Sequence, residues 1–167
     1  ACSFKIEGRL KDEAYVKNVV AAYSDALDRI IDANPGKWVR ASRGKSTRTF
    51  RPDLYKSFNR NYTGYLFSRP KTNEKLATFN SPKWIGEKVA TVMSLSSSRT
   101  IKVKAMCELH NGDGLGYFNK SGEFVGFRLN RIDGNILHAA TDIDATPGTA
   151  LYRNNDKEWN DALEAKE

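Results

Sequence analysis

The chain has 167 residues, enough for one ordinary domain or for one small domain with an appendage. It contains no run of the roughly 20 apolar residues that a membrane-spanning helix requires, so the sequence predicts no membrane partner. Cys2 and Cys107 form no Cys-x-x-Cys pair, and two such isolated cysteines are typical of free thiols in a reducing, cytoplasmic compartment.

The formal net charge of +7 arises between Lys37 and Lys75. Residues 37–60 hold eight Lys or Arg against a single Asp, whereas residues 1–36 and 76–167 each carry a net charge of −1. The positive charge is therefore a local feature of this segment and not a property of a uniformly basic protein.

The first residues predict a strand with one charged face. Side chains alternate between the two faces of a strand, so Lys5, Glu7 and Arg9 share a side. Because a strand of a parallel sheet needs neighbours from other βα units, we expect the chain to be a fragment that begins at the last strand of a larger α/β domain. At the carboxyl end of such a strand, two cations beside a carboxylate would hold an anionic substrate, so these residues are candidates for the rim of a catalytic site. The alternatives are a structural ion-pair cluster and an expression-linker sequence, Ile6-Glu7-Gly8-Arg9.

An amphipathic helix is predicted next, from Asp12 to Asp32. The apolar residues at helical spacing are Val16, Val19, Val20, Tyr23, Leu27, Ile30 and Ile31. Asp12 suits the first turn, and Asn34-Pro35-Gly36 ends the helix. We interpret residues 1–36 as the end of an upstream α/β domain, with its last strand and a helix that covers a sheet.

Residues 37–85 form a basic, aromatic-rich connecting segment, in which we expect extended stretches, loops and a strand near Tyr62–Phe67. Cations neutralise phosphates and aromatic rings stack on unpaired bases, so this composition suits single-stranded or looped RNA. The candidate phosphate contacts are Lys45, Arg48, Arg51, Lys56 and Arg60, and the candidate stacking residues are Tyr55, Phe58 and Tyr62. The alternative is a solvated face, or a surface that pairs with an acidic domain.

Residues 86–155 predict a small closed β-barrel, because about five to seven short strand patterns are separated by glycine-containing turns. Cys107 follows the alternating segment Thr100–Met106 and is expected in the core. Residues 156–167 predict a C-terminal helix. The expected fold class is therefore mainly β with flanking helices (α+β), in which an amphipathic helix precedes the barrel.

No self-contained active site or bound cofactor is expected in this chain. Gly44-Lys45-Ser46 lacks the earlier glycine of a phosphate-binding loop, and His110 and His138 lack the second ligand pair of a zinc site. Asp142 and Asp144 lack the glycine and distal glutamate of a calcium loop. No Ser or Cys lies in a nucleophile elbow. We therefore expect the fragment itself to be inactive.

Several sets of residues along the chain resemble one known family. The first is Ser3-Phe4-Lys5-Ile6-Glu7-Gly8-Arg9-Leu10-Lys11 with Tyr15-Val16 and Ala22-Tyr23, and the second is Ser57-Phe58-Asn59-Arg60-Asn61-Tyr62-Thr63-Gly64-Tyr65. The third is Ser81-Pro82-Lys83 with Gly86-Glu87 and Asn111-Gly112-Asp113-Gly114-Leu115. The last is Gly126-Phe127-Arg128-Leu129-Asn130-Arg131 with Pro147-Gly148 and Leu151-Tyr152-Arg153-Asn154-Asn155-Asp156. The first and last sets are the most specific. Together they resemble the C-terminal region of the collagenase-like peptidase family U32.

The resemblance implies a longer bacterial protein whose upstream domain is an α/β barrel, and a small β-barrel at residues 86–155 like those of translation factors. Some members of this family are named collagenases or proteases, and others act in hydroxylating ribosomal or transfer RNA. Members of the second kind carry an iron–sulfur cluster on cysteines of the α/β barrel. Neither Cys2 nor Cys107 matches a cluster-ligand position of the family.

The leading hypothesis is an accessory module that contacts ribosomal or transfer RNA, while the chemistry lies in the upstream domain of the same protein. A rival is the substrate-positioning part of a true protease, with collagen or another protein as its substrate. A third is a purely structural packing domain. The sequence alone leaves open whether the parent is a peptidase, and hence a hydrolase, or an RNA hydroxylation enzyme.

Overall fold

The computed structural model describes residues 3–44, 46–59, 62 and 84–165 of the chain. They fall into two compact units, one within residues 1–57 together with 158–167 and the other within residues 58–157. The helices are α1 (Glu13–Asp32) and α2 (Lys157–Glu164), with a short 3-10 helix at Leu54–Lys56. The strands are β1 (Glu87–Ser97), β2 (Thr100–Ala105), β3 (Gly114–Phe118), β4 (Phe124–Asp133), β5 (Ile136–Ala139) and β6 (Ala150–Asn155).

The predicted division of the chain at residues 36, 85 and 155 stays a prediction. Beyond Asn59, the structure describes only Tyr62 and residues 84–85 of the predicted connecting segment. Of the strand predicted near residues 62–67, all but Tyr62 lies outside the described residues.

Helix α1 forms where the apolar periodicity predicts it. Asp12 caps its first turn, since the carboxylate accepts a hydrogen bond from the Tyr15 amide at 2.7 Å. The helix ends at Asp32, and Gly36 follows in the left-handed conformation (φ 80°) that glycine tolerates. Its apolar face is only partly covered, because Val20 and Ile30 are 47% and 52% exposed. Neither of the two helices that the structure describes is long and apolar enough to cross a membrane.

Residues 3–8 do not form the predicted strand. They are irregular, with no strand assigned to any of them. A strand persists when a neighbour satisfies its backbone N–H and C=O groups. The six barrel strands are closed on one another and offer no free edge for such pairing. Two of the three predicted charged residues do lie close together, because Lys5 Nζ is 3.5 Å from a carboxylate oxygen of Glu7.

Strands β1 to β6 form a closed antiparallel barrel in the order β1-β2-β5-β4-β3-β6. This confirms the predicted mainly β fold class with a small closed barrel. The β3–β4 and β4–β5 hairpins turn at Gly122 (φ 78°) and Gly134 (φ 57°), where glycine adopts the left-handed conformation at low cost. A register shift in β1 between Val92 and Ser94 bends this strand, which pairs with both β2 and β6.

Alternate residues of the strands fill the barrel interior. The side chains that are at most 2% exposed include Val89, Val92, Ile101, Val103, Leu115, Leu129, Leu137 and Leu151. Burying a side chain of this kind stabilises a fold by roughly 1.5–3 kcal/mol. The interior therefore supplies the stability of the barrel, and the outward positions of the strands are available for binding.

Two features of the barrel differ from the sequence prediction. No strand is predicted at Gly114–Phe118, yet β3 occupies these residues, because Gly114 and Gly116 remove two outward side chains and hide the alternation. Cys107 is exposed and follows the end of β2, so its predicted place in the core is wrong. The pKa of the Cys107 thiol is raised, chiefly because nearby atoms partly shield it from water, although Arg153 acts in the opposite direction. The thiol is therefore not activated as a nucleophile.

Tyr117 ties β3 to the loop before β6. Its ring is buried in the barrel, its hydroxyl donates a hydrogen bond to the Asp144 carboxylate, and the same oxygen accepts one from the Asp144 amide at 3.1 Å. Burial, followed by the hydrogen bond to the carboxylate, raises the pKa of Tyr117 above its usual value. The neutral phenol is thus the form that the folded barrel favours.

Replacing Tyr117 with phenylalanine is expected to lower the free energy of unfolding by about 1.5–3 kcal/mol at neutral pH, because a hydrogen bond to a charged group is lost. The difference from the parent chain should shrink as the pH rises above about 10, the usual pKa of tyrosine. There the unfolded parent chain releases the phenolic proton while the folded one retains it, so that folding loses stability. Urea unfolding of both chains from pH 7 to pH 11 measures the difference, and a gap that stays constant over this range contradicts the account.

Candidate functional site

A buried asparagine fixes the basic segment against α1. The Asn18 side chain is 0% exposed, and its Nδ2 donates hydrogen bonds to the Asp53 carbonyl at 2.7 Å and to Ser57 Oγ at 2.6 Å. Its Oδ1 accepts a hydrogen bond from the Asp53 amide at 2.8 Å. Asn18 therefore binds both backbone groups of Asp53, as a neighbouring strand would, and positions the 3-10 helix at Leu54–Lys56. The sequence pattern of α1 gives no signal for Asn18, because one asparagine does not disturb the apolar periodicity.

Two cations of the basic segment pair with acidic residues of α1. Arg40 Nε donates a hydrogen bond to an Asp28 carboxylate oxygen at 2.7 Å. Arg48 forms an ion pair with Asp25, and its side chain is only 17% exposed. The charge of each arginine is thus partly neutralised within the chain. For Arg48, which is a predicted phosphate contact, the contact with α1 supports the structural alternative.

An open groove of about 410 Å³ lies between α1 and the segment that Asn18 holds. Tyr23 and Arg29 line it from the helix, and Arg51 and Tyr55 line it from the segment. All four side chains are exposed, with Tyr23 and Tyr55 at 46% and 65%. Two guanidinium groups and two aromatic rings thus face one concave surface. This combination of groups binds phosphates and stacks on bases.

The other predicted nucleic-acid contacts that the structure describes do not line this groove. Lys56 is half-buried, with Nζ 6.0 Å from the ring centre of Trp159. Phe58 and Tyr62 are exposed at 36% and 52%. Lys45 and Arg60 lie outside the described residues. Tyr23 and Arg29 were not predicted as contacts, because Tyr23 was counted with the apolar residues of α1 and Arg29 lies outside the basic segment.

The three predicted rim residues lie at the surface of their unit. Lys5, Glu7 and Arg9 are exposed, and the Lys5–Glu7 ion pair has side chains that are 88% and 67% exposed. Such an exposed pair contributes little to stability. Their role at the rim of a catalytic site in a larger protein stays a prediction.

A second concentration of charge lies inside the barrel around Arg153, whose side chain is 7% exposed. Its guanidinium lies 2.6 Å from Glu87, 3.3 Å from Asp156 and 3.5 Å from Asp113. Asp113 is fully buried and also accepts hydrogen bonds from the amides of His110 at 3.0 Å and Lys157 at 2.9 Å. The conspicuous Asn111-Gly112-Asp113-Gly114 sequence thus supplies a structural carboxylate.

The same carboxylates do not form a persuasive metal site. His110, Asp113 and Asp156 place potential ligand atoms within 4.8 Å of one another. However, both oxygens of Asp113 already accept backbone hydrogen bonds, and the Arg153 cation lies against both carboxylates. Arg153 therefore supplies the positive charge that a metal ion would otherwise supply.

The chain itself does not fit the iron–sulfur cluster that the family resemblance implies for some members. Such clusters are held by four cysteine thiolates. This sequence contains two cysteines, and Cys107 is a lone exposed residue after β2. A cluster of this kind would need ligands from another part of a longer protein.

Comparisons with known proteins agree with the resemblance seen in the sequence. Residues 1–76 match the model of peptidase family U32. The chain is 41% identical over 131 residues to the 23S rRNA 5-hydroxycytidine C2501 synthase of Escherichia coli (strain K12). That match covers 78% of this chain and 19% of the relative, so the chain spans about a fifth of the relative's length. No solved structure matches the chain. The recognition of peptidase family U32 is thus confirmed as a similarity, which the family model carries over residues 1–76.

Proposed function

We propose that this chain is an RNA-contacting accessory module of a U32 protein, and that the groove between α1 and residues 51–55 is its contact surface. The reaction itself is assigned to other parts of the protein, with the upstream domain as a partner. The observation that carries this proposal is the convergence of Arg29, Arg51, Tyr23 and Tyr55 on one groove.

The charges near the groove favour an anionic partner. Of its two carboxylates, Asp25 pairs with Arg48, and Asp53 accepts a hydrogen bond from the Tyr55 amide at 2.9 Å. Asp53 keeps its negative charge but is half-buried, whereas Arg29 and Arg51 are the exposed charges of the groove. An arginine fork suits phosphate oxygens, and a tyrosine ring offers a sequence-tolerant stacking surface.

The identity of the relative supports RNA as the class of partner. The E. coli protein is named for 5-hydroxycytidine formation at C2501 of 23S rRNA, and the match to it covers more than three quarters of this chain. We infer that the parent protein acts on ribosomal RNA and that this chain helps to hold the RNA. A protease role, with collagen or another protein as substrate, is the competing proposal.

Reversing both groove arginines tests the proposal. The double variant Arg29→Glu, Arg51→Glu should bind a structured fragment of 23S rRNA at least about tenfold more weakly than the parent chain at 0.1 M salt, because two phosphate contacts become repulsive. Fluorescence anisotropy of the labelled RNA gives both affinities.

The matched control is Lys102→Glu, Lys104→Glu, which makes the same charge change on exposed positions of β2. It should lose much less affinity than the groove variant. Equal losses in the two variants would show that net charge alone governs binding and would contradict a specific groove. Circular dichroism and urea unfolding establish that both variants remain folded.

A further inference from the structure

The outward face of strands β6, β3 and β4 carries three aromatic rings that are not part of the buried core of the barrel. Phe118 and Phe124 lie directly opposite each other on β3 and β4, and Tyr152 lies on the adjacent β6. All three are half-buried, whereas their strand neighbours Tyr117 and Leu151 fill the core. The rings are therefore an addition to the surface of an already packed barrel.

These rings form one continuous cluster. The ring centres of Phe118 and Phe124 are 5.2 Å apart, and that of Tyr152 lies 6.1 Å from Phe118 and 6.5 Å from Phe124. The pairs meet at angles of 61° to 82°, which is the favoured edge-to-face range. Each ring fixes its neighbours, so little side-chain entropy remains to be lost on binding.

Glycines form the floor beside the rings. Gly116 lies opposite both Tyr152 and Gly126, so this part of the surface has no side chains of its own. A Cβ atom at Gly116 would lie 2.4 Å from Cζ of Phe124, which shows that this ring rests directly on the glycine backbone. The Phe124 ring thus covers Gly116, which is buried, whereas Gly126 is exposed and leaves the strand surface open to a planar group beside the rings.

Cations border the same face. Lys88 of β1 lies opposite Tyr152, and Arg128 of β4 lies opposite Gly114; both side chains are exposed. The outward positions of β3, of β6 and of β4 from Phe124 to Asn130 include no Asp or Glu. A flat aromatic surface between two cations is complementary to a nucleotide, which combines a planar base with an anionic phosphate.

From this juxtaposition we propose that the outward face of β6, β3 and β4 binds unpaired bases of single-stranded RNA, with Phe118, Phe124 and Tyr152 as the stacking residues and Lys88 and Arg128 at the phosphates. This face is termed the aromatic platform. The proposal deepens the function proposed above, and rests on RNA being the partner, but it concerns different residues. Single strands are favoured over duplexes because bases in a duplex are already stacked and cannot reach the rings.

The test separates ring chemistry from packing. In the variant Phe124→Leu, Tyr152→Leu, apolar side chains still cover Gly116, but two of the three stacking rings are lost and only Phe118 remains. In Tyr152→Phe the ring is retained. The probes are a mixed-sequence single-stranded RNA of about ten nucleotides that contains 2-aminopurine, and a blunt RNA duplex of the same sequence. The binding of each probe is measured with the 167-residue chain.

The leucine variant should bind the single strand about tenfold or more weakly, because two stacking rings are lost, and quenching of 2-aminopurine should be strongly reduced. Its affinity for the duplex should stay within twofold of the parent value, as should the affinity of Tyr152→Phe for both probes.

The platform is overturned if the leucine variant binds the single strand as tightly as the parent chain does while the groove variant Arg29→Glu, Arg51→Glu has lost affinity. The proposed function would still stand after that result. In that case the rings serve a protein contact or the barrel's own stability. Equal losses on single strand and duplex also overturn it. Absence of binding by the parent chain to both short probes overturns the platform. The proposed function is overturned only if the structured 23S rRNA fragment is not bound either.

Discussion

Replacing Arg153 with alanine is expected to destabilise the barrel by about 3–5 kcal/mol, because it leaves carboxylates buried without their counter-charge. Asp113 and Asp156 are 0% and 8% exposed, and the Arg153 guanidinium lies within 3.5 Å of both. It also donates a hydrogen bond to the Glu108 carbonyl at 3.1 Å. Truncation removes all of these contacts and leaves a cavity inside the barrel. Chemical denaturation followed by circular dichroism measures the loss.

The control for Arg153 is Arg99→Ala. Arg99 also pairs with a carboxylate, that of Asp142 at 2.6 Å, but the two side chains are 62% and 66% exposed. Water screens this pair, so its loss should cost less than about 1 kcal/mol. If Arg153→Ala lowered the free energy of unfolding no more than Arg99→Ala does, the charge cluster around Arg153 would not be important for the stability of the barrel.

Replacing Gly86 with alanine should be comparably damaging. Gly86 precedes β1 with φ at 89°, a conformation that side chains disfavour. A Cβ atom there would lie 2.0 Å from the carbonyl oxygen of Arg153, which is a backbone atom of β6 and cannot simply rotate away. The β1–β6 pairing would have to shift, and we expect a loss of about 3 kcal/mol or more from strain and disrupted pairing.

Gly148→Ala is the matched control for this glycine. Its φ is also 89°, but no atom lies within 4 Å of the position that a Cβ would take. It should show the conformational cost alone, about 1–2 kcal/mol. The difference between the two variants therefore isolates the collision with β6. Equal unfolding free energies for the two variants would contradict the close approach of β1 and β6 at Gly86.

The regular parts of the fold were predictable from the sequence because their signals are local. Apolar spacing defined α1, and glycine turns defined the hairpins around Gly122 and Gly134. Strand β3 was not predicted, because Gly114 and Gly116 occupy outward positions where polar side chains would otherwise alternate with the apolar ones. The strand predicted in Ser3–Leu10 is not formed within this chain, because a local pattern does not supply a pairing partner, and it stays a prediction for a larger domain.

The sequence predicted which segment carries the cations and aromatic residues of the candidate site, but not which of these side chains face the groove. The excess of Lys and Arg pointed to the basic segment, and Arg51 and Tyr55 do line a groove. Sequence position could not show that Arg40 and Arg48 turn back to α1, although Asp25 and Asp28 lie three residues apart on one helical face and were a usable signal. The aromatic platform was missed because Phe118, Phe124 and Tyr152 come from three strands, and only the barrel register brings them together.

The salt dependence of RNA binding tests most directly the central claim that this chain contacts RNA through a cationic surface. Affinity of the 167-residue chain for a structured 23S rRNA fragment should fall as salt rises from 50 to 300 mM. A plot of log K against log salt should have a slope of about −2 to −4, which corresponds to roughly three to five phosphate contacts. The groove variant Arg29→Glu, Arg51→Glu should give a shallower slope. A flat response, or no binding at 50 mM salt, would contradict the account.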